Sequence, residues 1–428
     1  MQHSFEGLDR PGGLDRVGLL RPLRGRDFRL LWAGMSVSLV GDGVFYIAVA
    51  WTAYSLWNSP VSMSIVGIAM TVPTIACLLL GGAVSDRYDR RRIMMLADLG
   101  RCLAVGLLAG LAFAHALTFS ALVELAVLYG IGTAFFTPAF EAIVPGIVAP
   151  RDLAQANALD QFLRPVALRL AGPALGGWLV GAFGSGLAFA LDGASFLASA
   201  AAVLAMRETP VMRAAAGSTV AAVADGLRFV RRNVWLWGTL VSAAIAYLAF
   251  LGPTETLLPY LVKNVLHGSP GQLGLVFAAG GAGAIGAAAA MGQLGQPRRD
   301  ITFIYVCWTL ATLTVVGYGL GYSVPQLMVA CLLFNALEAA GTVAWATVKQ
   351  RHIPASLLGR VSSLDWLISI SLLPVSFAIT GPVAGLVGAR ATLVGAGAIG
   401  AAATFAALFL PGMRDVEGRA PTTAAASA

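Results

Sequence analysis

Three ionisable residues stand deep inside long apolar runs: Asp42, Arg169 and Glu338. Asp42 lies about 14 residues into the first run, so at ~1.5 Å per residue it sits ~20 Å from the end of a helix. Arg169 lies about 12 residues into the fifth run, ~18 Å by the same rise. Glu338 lies about as deep in the tenth run, with Asn335 one turn away. A charge at the centre of a bilayer costs ~2.5–3.5 kcal/mol or more unless it is paired or wet, so its retention points to a use. A neighbouring cation favours the carboxylate, and burial without one favours the neutral acid. An acid so placed can couple proton uptake to a change of state. Asp42 and Arg169 are predicted to approach each other or share a polar cavity, and Glu338 is the corresponding acid of the C-terminal half. The structural alternative is a fixed ion pair that only holds helices together.

Other chemistry finds little support. Cys77, Cys102, Cys307 and Cys331 all lie in apolar runs without a Cys-x-x-Cys pair, and the four histidines are scattered. No metal or cofactor site is expected. No nucleophile and base gather at one depth, which argues against an enzyme. No Gly-x-x-x-x-Gly-Lys-[Ser/Thr] loop is present, so ATP is not the expected energy source.

The elements that position these residues follow from composition. The chain of 428 residues is 58% hydrophobic and 11% charged, against about 25% charged in soluble domains. Twelve runs reach the ~20 apolar residues that a membrane crossing needs. They fall at roughly 29–56, 61–83, 93–115, 118–142, 157–182, 186–206, 235–262, 270–293, 301–321, 325–348, 360–387 and 391–411. The expected organisation is a cytoplasmic segment over 1–28, a six-helix bundle over 29–206, a linker over 207–234, a second bundle over 235–411 and a disordered cytoplasmic tail over 412–428. Within the linker, 220–233 is basic and partly amphipathic, and is predicted to lie along the membrane surface as a helix. The polar N-terminus lacks a short apolar core with a cleavage site, so no removable signal peptide is expected.

Basic residues fix the orientation. All but five of the 28 Lys and Arg fall in segments on one side. Lys263 and Arg390 lie on the other side, and Arg101, Arg164 and Arg169 lie inside runs. Such a bias places both termini in the cytoplasm of a multi-pass cell-membrane protein. It also accounts for the net charge of +7 without a nucleic-acid partner. The halves repeat weakly. Gly172-Pro173-Ala174-Leu175-Gly176 returns as Gly381-Pro382-Val383-Ala384-Gly385, and Arg90-Arg91 returns as Arg298-Arg299. Duplication of a six-helix unit puts a site between two bundles.

Between the second and third runs stands Gly82-x-x-x-Asp86-Arg87-x-x-Arg90-Arg91, with Asp89 in the intervening turn. This spacing resembles the loop motif of the major facilitator superfamily, which carries a second glycine where Asp89 stands. The resemblance implies an all-α membrane protein of twelve transmembrane helices in two pseudo-symmetric bundles. It also implies a conformational latch formed by Gly82, Asp86, Arg87, Arg90 and Arg91, with Asp86 meeting the eleventh helix. In the fifth run, Gly172-Pro173-x-x-Gly176-Gly177 resembles the end of a motif of drug–proton antiporters. Together with Gly41-Asp42 and Ala156-Asn157-Ala158, it is similar to the branch with enterobactin exporters and macrolide-efflux proteins.

That resemblance implies proton-coupled efflux of a hydrophobic or amphipathic compound by alternating access, in a chain that works as a monomer among membrane lipids. It also implies that Phe45, Tyr46, Tyr129, Phe136, Tyr247, Phe250, Asn335 and Trp345 line the substrate cavity. The rival readings are an importer or facilitator of a small polar metabolite and a non-transporting membrane sensor or scaffold.

Overall fold

A long apolar run offers its backbone no polar side chains and no water, so it must close its hydrogen bonds internally as a helix. The computed structural model describes residues 18–85, 88–207, 227–295 and 297–417. Every extended element among them is helical. The N-terminal half holds α1 (Arg26–Leu56), α2 (Pro60–Ser85), α3 (Arg90–Phe113), α4 (Phe119–Ile147), α5 (Leu153–Pro165), α6 (Gly172–Phe183) and α7 (Ser185–Leu204). The C-terminal half holds α8 (Val234–Tyr260), α9 (Pro270–Leu294), α10 (Asp300–Leu320), α11 (Val324–His352), α12 (Ala355–Ser371), α13 (Leu373–Val387) and α14 (Ala389–Ala407).

Two of the expected runs are interrupted. The fifth is α5 and α6 joined by a π-helical turn, Val166–Ala171, that follows Pro165. The eleventh, expected as 360–387, is divided into α12 and α13. Pro374 lacks the N–H that would close a bond to the preceding turn, so the helix stops at Ser371 and restarts at Leu373. Among the described residues eleven spans, counting α5 to α6 as one, are long and apolar enough to cross a membrane, and α13 is a shorter apolar helix. The expected surface helix lies largely outside the described residues; only 227–233 is described there, and 227–232 is helical. The tail differs from expectation over its first residues. Met413 is fully buried beside Gly238, and the Glu417 carboxylate accepts bonds from the Thr302 N–H at 2.9 Å and Oγ1 at 3.1 Å. An apolar Met and a capping carboxylate tie this segment to the C-terminal half.

Each bundle has two apolar cores, one near the side that carries the chain ends and one on the far side. In the N-terminal bundle Phe28, Leu31, Met94 and Ile143 belong to the first and Phe45, Leu108, Leu122 and Phe189 to the second. In the C-terminal bundle Leu236, Ile304 and Tyr305 face Leu257, Leu273 and Leu393 in the same way. Between the N-terminal pair of cores runs a polar waist.

The bundles are joined at the waist and on the far side. There the Tyr54 hydroxyl donates to the Thr256 carbonyl at 2.5 Å. Lys263 Nζ donates to the Trp51 carbonyl at 3.1 Å and to Ser55 Oγ, and lies 4.8 Å from the centre of the Trp51 ring. Glycines bring backbones close: a Cβ on Gly177 of α6 would stand 2.9 Å from Gly274 Cα of α9, and one on Gly67 of α2 would stand 2.8 Å from the Phe377 ring of α13. Small residues allow this approach, and close packing drives helix association in lipid.

Candidate functional site: a charged crossing between two bundles

The π-helical turn carries Arg169 out of α5–α6 toward the other half. Its Nη1 donates to Asn335 Oδ1 of α11 at 2.7 Å and stands 3.9 Å from Glu338 Oε2. The Arg169 side chain is 51% exposed and that of Glu338 26%, although both lie midway along their spans. Gly281 of α9 permits this arrangement, because a Cβ there would meet the Arg169 carbonyl carbon at 2.5 Å. Asn335 is held from behind: its Nδ2 donates to the Cys331 carbonyl at 2.9 Å, and Gly280 leaves room for its amide. Glu338 Oε1 accepts from Thr342 Oγ1 at 3.0 Å. Arg169 retains further N–H donors for a ligand. Glu338 also lines a small pocket together with Tyr247, Phe250, Trp308 and Phe334.

Asp42 lies at the expected depth but meets a different partner. It is buried in the waist of the N-terminal bundle, where the Tyr129 hydroxyl donates to its Oδ1 at 2.6 Å. The nearby cation is Arg101 of α3, which is ion-paired with Asp98 one turn earlier. The expected meeting of Asp42 and Arg169 is therefore replaced by two separate polar groups. The reason is geometric: the backbone at Gly43, next to Asp42, packs on the Ala167 carbonyl and Gly172, so α1 turns its small face to helix five and its acid toward α4.

The aromatic residues divide in the same way. Phe45 is fully buried and stacks on Tyr129 at 4.5 Å, leaving it no face for a ligand. Phe136 lies under the Arg101 guanidinium at 4.4 Å. Trp345 is buried between Trp235 and Trp308 and donates from Nε1 to Asp365 at 3.0 Å, so it packs the C-terminal core. Tyr46 is 45% exposed, and Tyr247 and Phe250 line the pocket at Glu338.

Of the loop motif, Asp86 and Arg87 lie outside the described residues. Gly82 is half-buried near the end of α2. Arg90 donates to the Ala142 carbonyl at 2.9 Å and Arg91 to the Leu204 carbonyl at 2.9 Å, tying the start of α3 to the ends of α4 and α7. Asp89 caps α3 by accepting from the Arg91 N–H at 3.0 Å, which gives the acid in the glycine position a task. In the helix-five motif Gly172 meets Gly43, Gly176 meets Val44, and Gly177 meets Gly274 across the bundles. Pro173 stands at the start of α6.

The residues missed from sequence are Asp98 and Arg101. Their three-residue spacing inside an apolar run was the available signal.

Comparison with known proteins agrees with this architecture. A family profile described as "transmembrane secretion effector" matches residues 17–424. The multidrug efflux pump Tap of Mycolicibacterium fortuitum is 27% identical over 412 residues, covering 92% of this chain and 98% of that protein. Macrolide efflux protein A of Streptococcus pyogenes is 22% identical over 82% of this chain and 88% of its own length. The enterobactin exporter EntS of Citrobacter koseri is 27% identical over 79% and 80%. Among solved structures, a bacterial homologue of the lysosomal transporter Spinster, in an inward-facing and unoccupied conformation, superposes with a TM-score of 0.67 at 16% identity, covering 94% of this chain and 99% of that one. A bacterial homologue of the iron transporter ferroportin, in an inward-facing state, gives 0.66 at 17% identity, covering 92% and 99%. With two helical bundles, a charged crossing between them and a match over nearly its whole length, the chain belongs to the transmembrane secretion effector family of the major facilitator superfamily, a family of membrane transporters and not of enzymes.

Proposed function

We propose that the protein is a proton-coupled exporter of a hydrophobic or amphipathic small molecule, resident in the cell membrane with both termini in the cytoplasm and working as a monomer. The observation that carries this reading is the crossing of Arg169 to Asn335 and Glu338 at the waist between the bundles. A bond between two bodies at mid-membrane must break and re-form when they rock, so its strength depends on which way the site faces. Protonation of Glu338 removes the partner charge of Arg169 and loosens the crossing. The aromatic residues beside Glu338, among them Tyr247 and Phe250, offer apolar surface to part of the compound. With the termini inside, the far-side contacts close the outer mouth, and the conformation is inward-facing.

The direction of transport is supported by the relatives, a multidrug efflux pump, a macrolide efflux protein and an enterobactin exporter. Asp86 and Arg87 act in this reading as the latch that secures the opposite, outward-facing conformation. The division into 29–206, 207–234 and 235–411 gives the two rocking bodies and their linker. The test is transport in proteoliposomes with an imposed pH gradient, across macrolides, siderophores and lipophilic cations. Uphill movement of at least one compound that collapses with a protonophore supports the proposal, and movement indifferent to the gradient counts against it.

A further inference from the structure

The waist of the N-terminal bundle holds more acid than its cation can neutralise. Asp98 and Asp192 are 0% exposed and Arg101 is 4% exposed. Arg101 is committed to Asp98 and is fixed between the rings of Phe136 at 4.4 Å and Phe196 at 4.3 Å. Gly132 leaves space for it, since a Cβ there would stand 2.6 Å from Arg101 Cγ. Among the described residues, that neutral pair leaves neither Asp42 nor Asp192 an ion pair of its own. The two are brought together by α1 and α7: a Cβ on Gly41 would press against the Asp192 carboxylate and Ser195. Asp42 accepts from Tyr129, and Asp192 Oδ1 accepts from Ser195 Oγ at 3.2 Å. Among the described residues, Asp192 Oδ2 is buried without a hydrogen-bond partner.

Every element packed against the site contributes to its electrostatics. Asp42 and Tyr46 face it from α1, and Asp98, Arg101 and Cys102 from α3. Tyr129 faces it from α4, Arg164 from α5 and Asp192 from α7, with Arg164 bound to Asp160 at 2.8 Å. Uncompensated carboxylates in one buried group are costly to keep charged, and like-charged acids sharing a site do not both ionise.

We propose that Asp42 and Asp192 form a proton-binding site in the N-terminal bundle, separate from the Arg169–Glu338 crossing, with the Asp98–Arg101 pair as its fixed base. One proton taken from water forms an O–H bond on a carboxylate oxygen of the pair and returns to water when it leaves. The site's use in coupling rests on the exporter reading; its occupancy does not.

Infrared spectroscopy of the detergent-solubilised full chain tests occupancy without any transported compound. The C=O stretch of a protonated carboxyl group is expected at neutral pH. It is expected to be lost or shifted in Asp192→Asn and in Asp42→Asn, and to persist in Glu338→Gln. Asp192→Asn replaces a neutral acid by a neutral amide and should leave the melting temperature unchanged or raised, whereas Asp98→Asn strips Arg101 of its partner and should lower it. Absence of the carboxyl signal at neutral pH, or a signal unchanged by both Asp42→Asn and Asp192→Asn, overturns the proposal. Because the signal needs no transport, a failed efflux assay and an empty proton site are separate results.

Discussion

Arg169 reaches out of one bundle to Asn335 of the other, a 2.7 Å hydrogen bond between residues 166 apart in the chain. Glu338 stands one turn beyond Asn335, at 3.9 Å from the same nitrogen. A neutral acceptor thus takes the short bond and the carboxylate stands off at ion-pair distance. The acid can change charge without dissolving the Arg169–Asn335 contact.

Glu338→Gln separates charge from shape at this crossing. The amide fills the same space and can still accept from Thr342, but it binds no proton. Binding of the compound should change only a few-fold, while uphill export driven by a pH gradient should fall at least tenfold. Paired binding and proteoliposome assays check both halves.

The far-side closure depends on Lys263. Lys263→Met keeps the apolar stem and removes the bonds to the Trp51 carbonyl and Ser55. A charge-assisted bond of this kind contributes about 1–2 kcal/mol in a partly exposed setting. Its loss should move the equilibrium roughly 5- to 30-fold toward far-side opening. Labelling of a cysteine placed beneath the closure measures that shift.

Two glycines five residues apart should fail in different ways. Gly172→Ala sets a Cβ 2.6 Å from Gly43 Cα inside one bundle and should destabilise the fold by about 1–3 kcal/mol. Gly177→Ala sets one 2.9 Å from Gly274 Cα between bundles. That chain should remain folded and lose the far-side-closed state. Thermal unfolding distinguishes the first effect, and far-side cysteine labelling the second.

Asp89 is a cap, so its replacement should follow capping energetics. Asp89→Ala should cost about 1 kcal/mol, and Asp89→Gly, which restores the superfamily residue, only a few tenths. Comparison of the two melting temperatures decides whether the acid has any role beyond capping.

The twelve runs and their division into two halves were legible in the sequence, because a bilayer imposes length and composition on each crossing. Depth was legible too: Asp42, Arg169 and Glu338 all lie well inside their spans. Partnership was not. Depth fixes height along a helix and leaves open which neighbour a side chain faces. The π-helical turn at Val166–Ala171 determines which neighbours Arg169 meets, and no residue pattern announced it. The division of the eleventh run hung on one residue, Pro374, inside an otherwise uninterrupted apolar stretch. Asp98 and Arg101 were visible as a close pair, but only the fold shows Asp42 and Asp192 gathered around it.

The central claim is that proton movement and compound movement share the crossing between the bundles. Its most direct measurement is accumulation of a fluorescent amphipathic compound by proteoliposomes under a pH gradient, with the native chain and Glu338→Gln compared side by side. The account predicts protonophore-sensitive accumulation by the native chain and only downhill equilibration by the variant. Undiminished uphill accumulation by Glu338→Gln would contradict it.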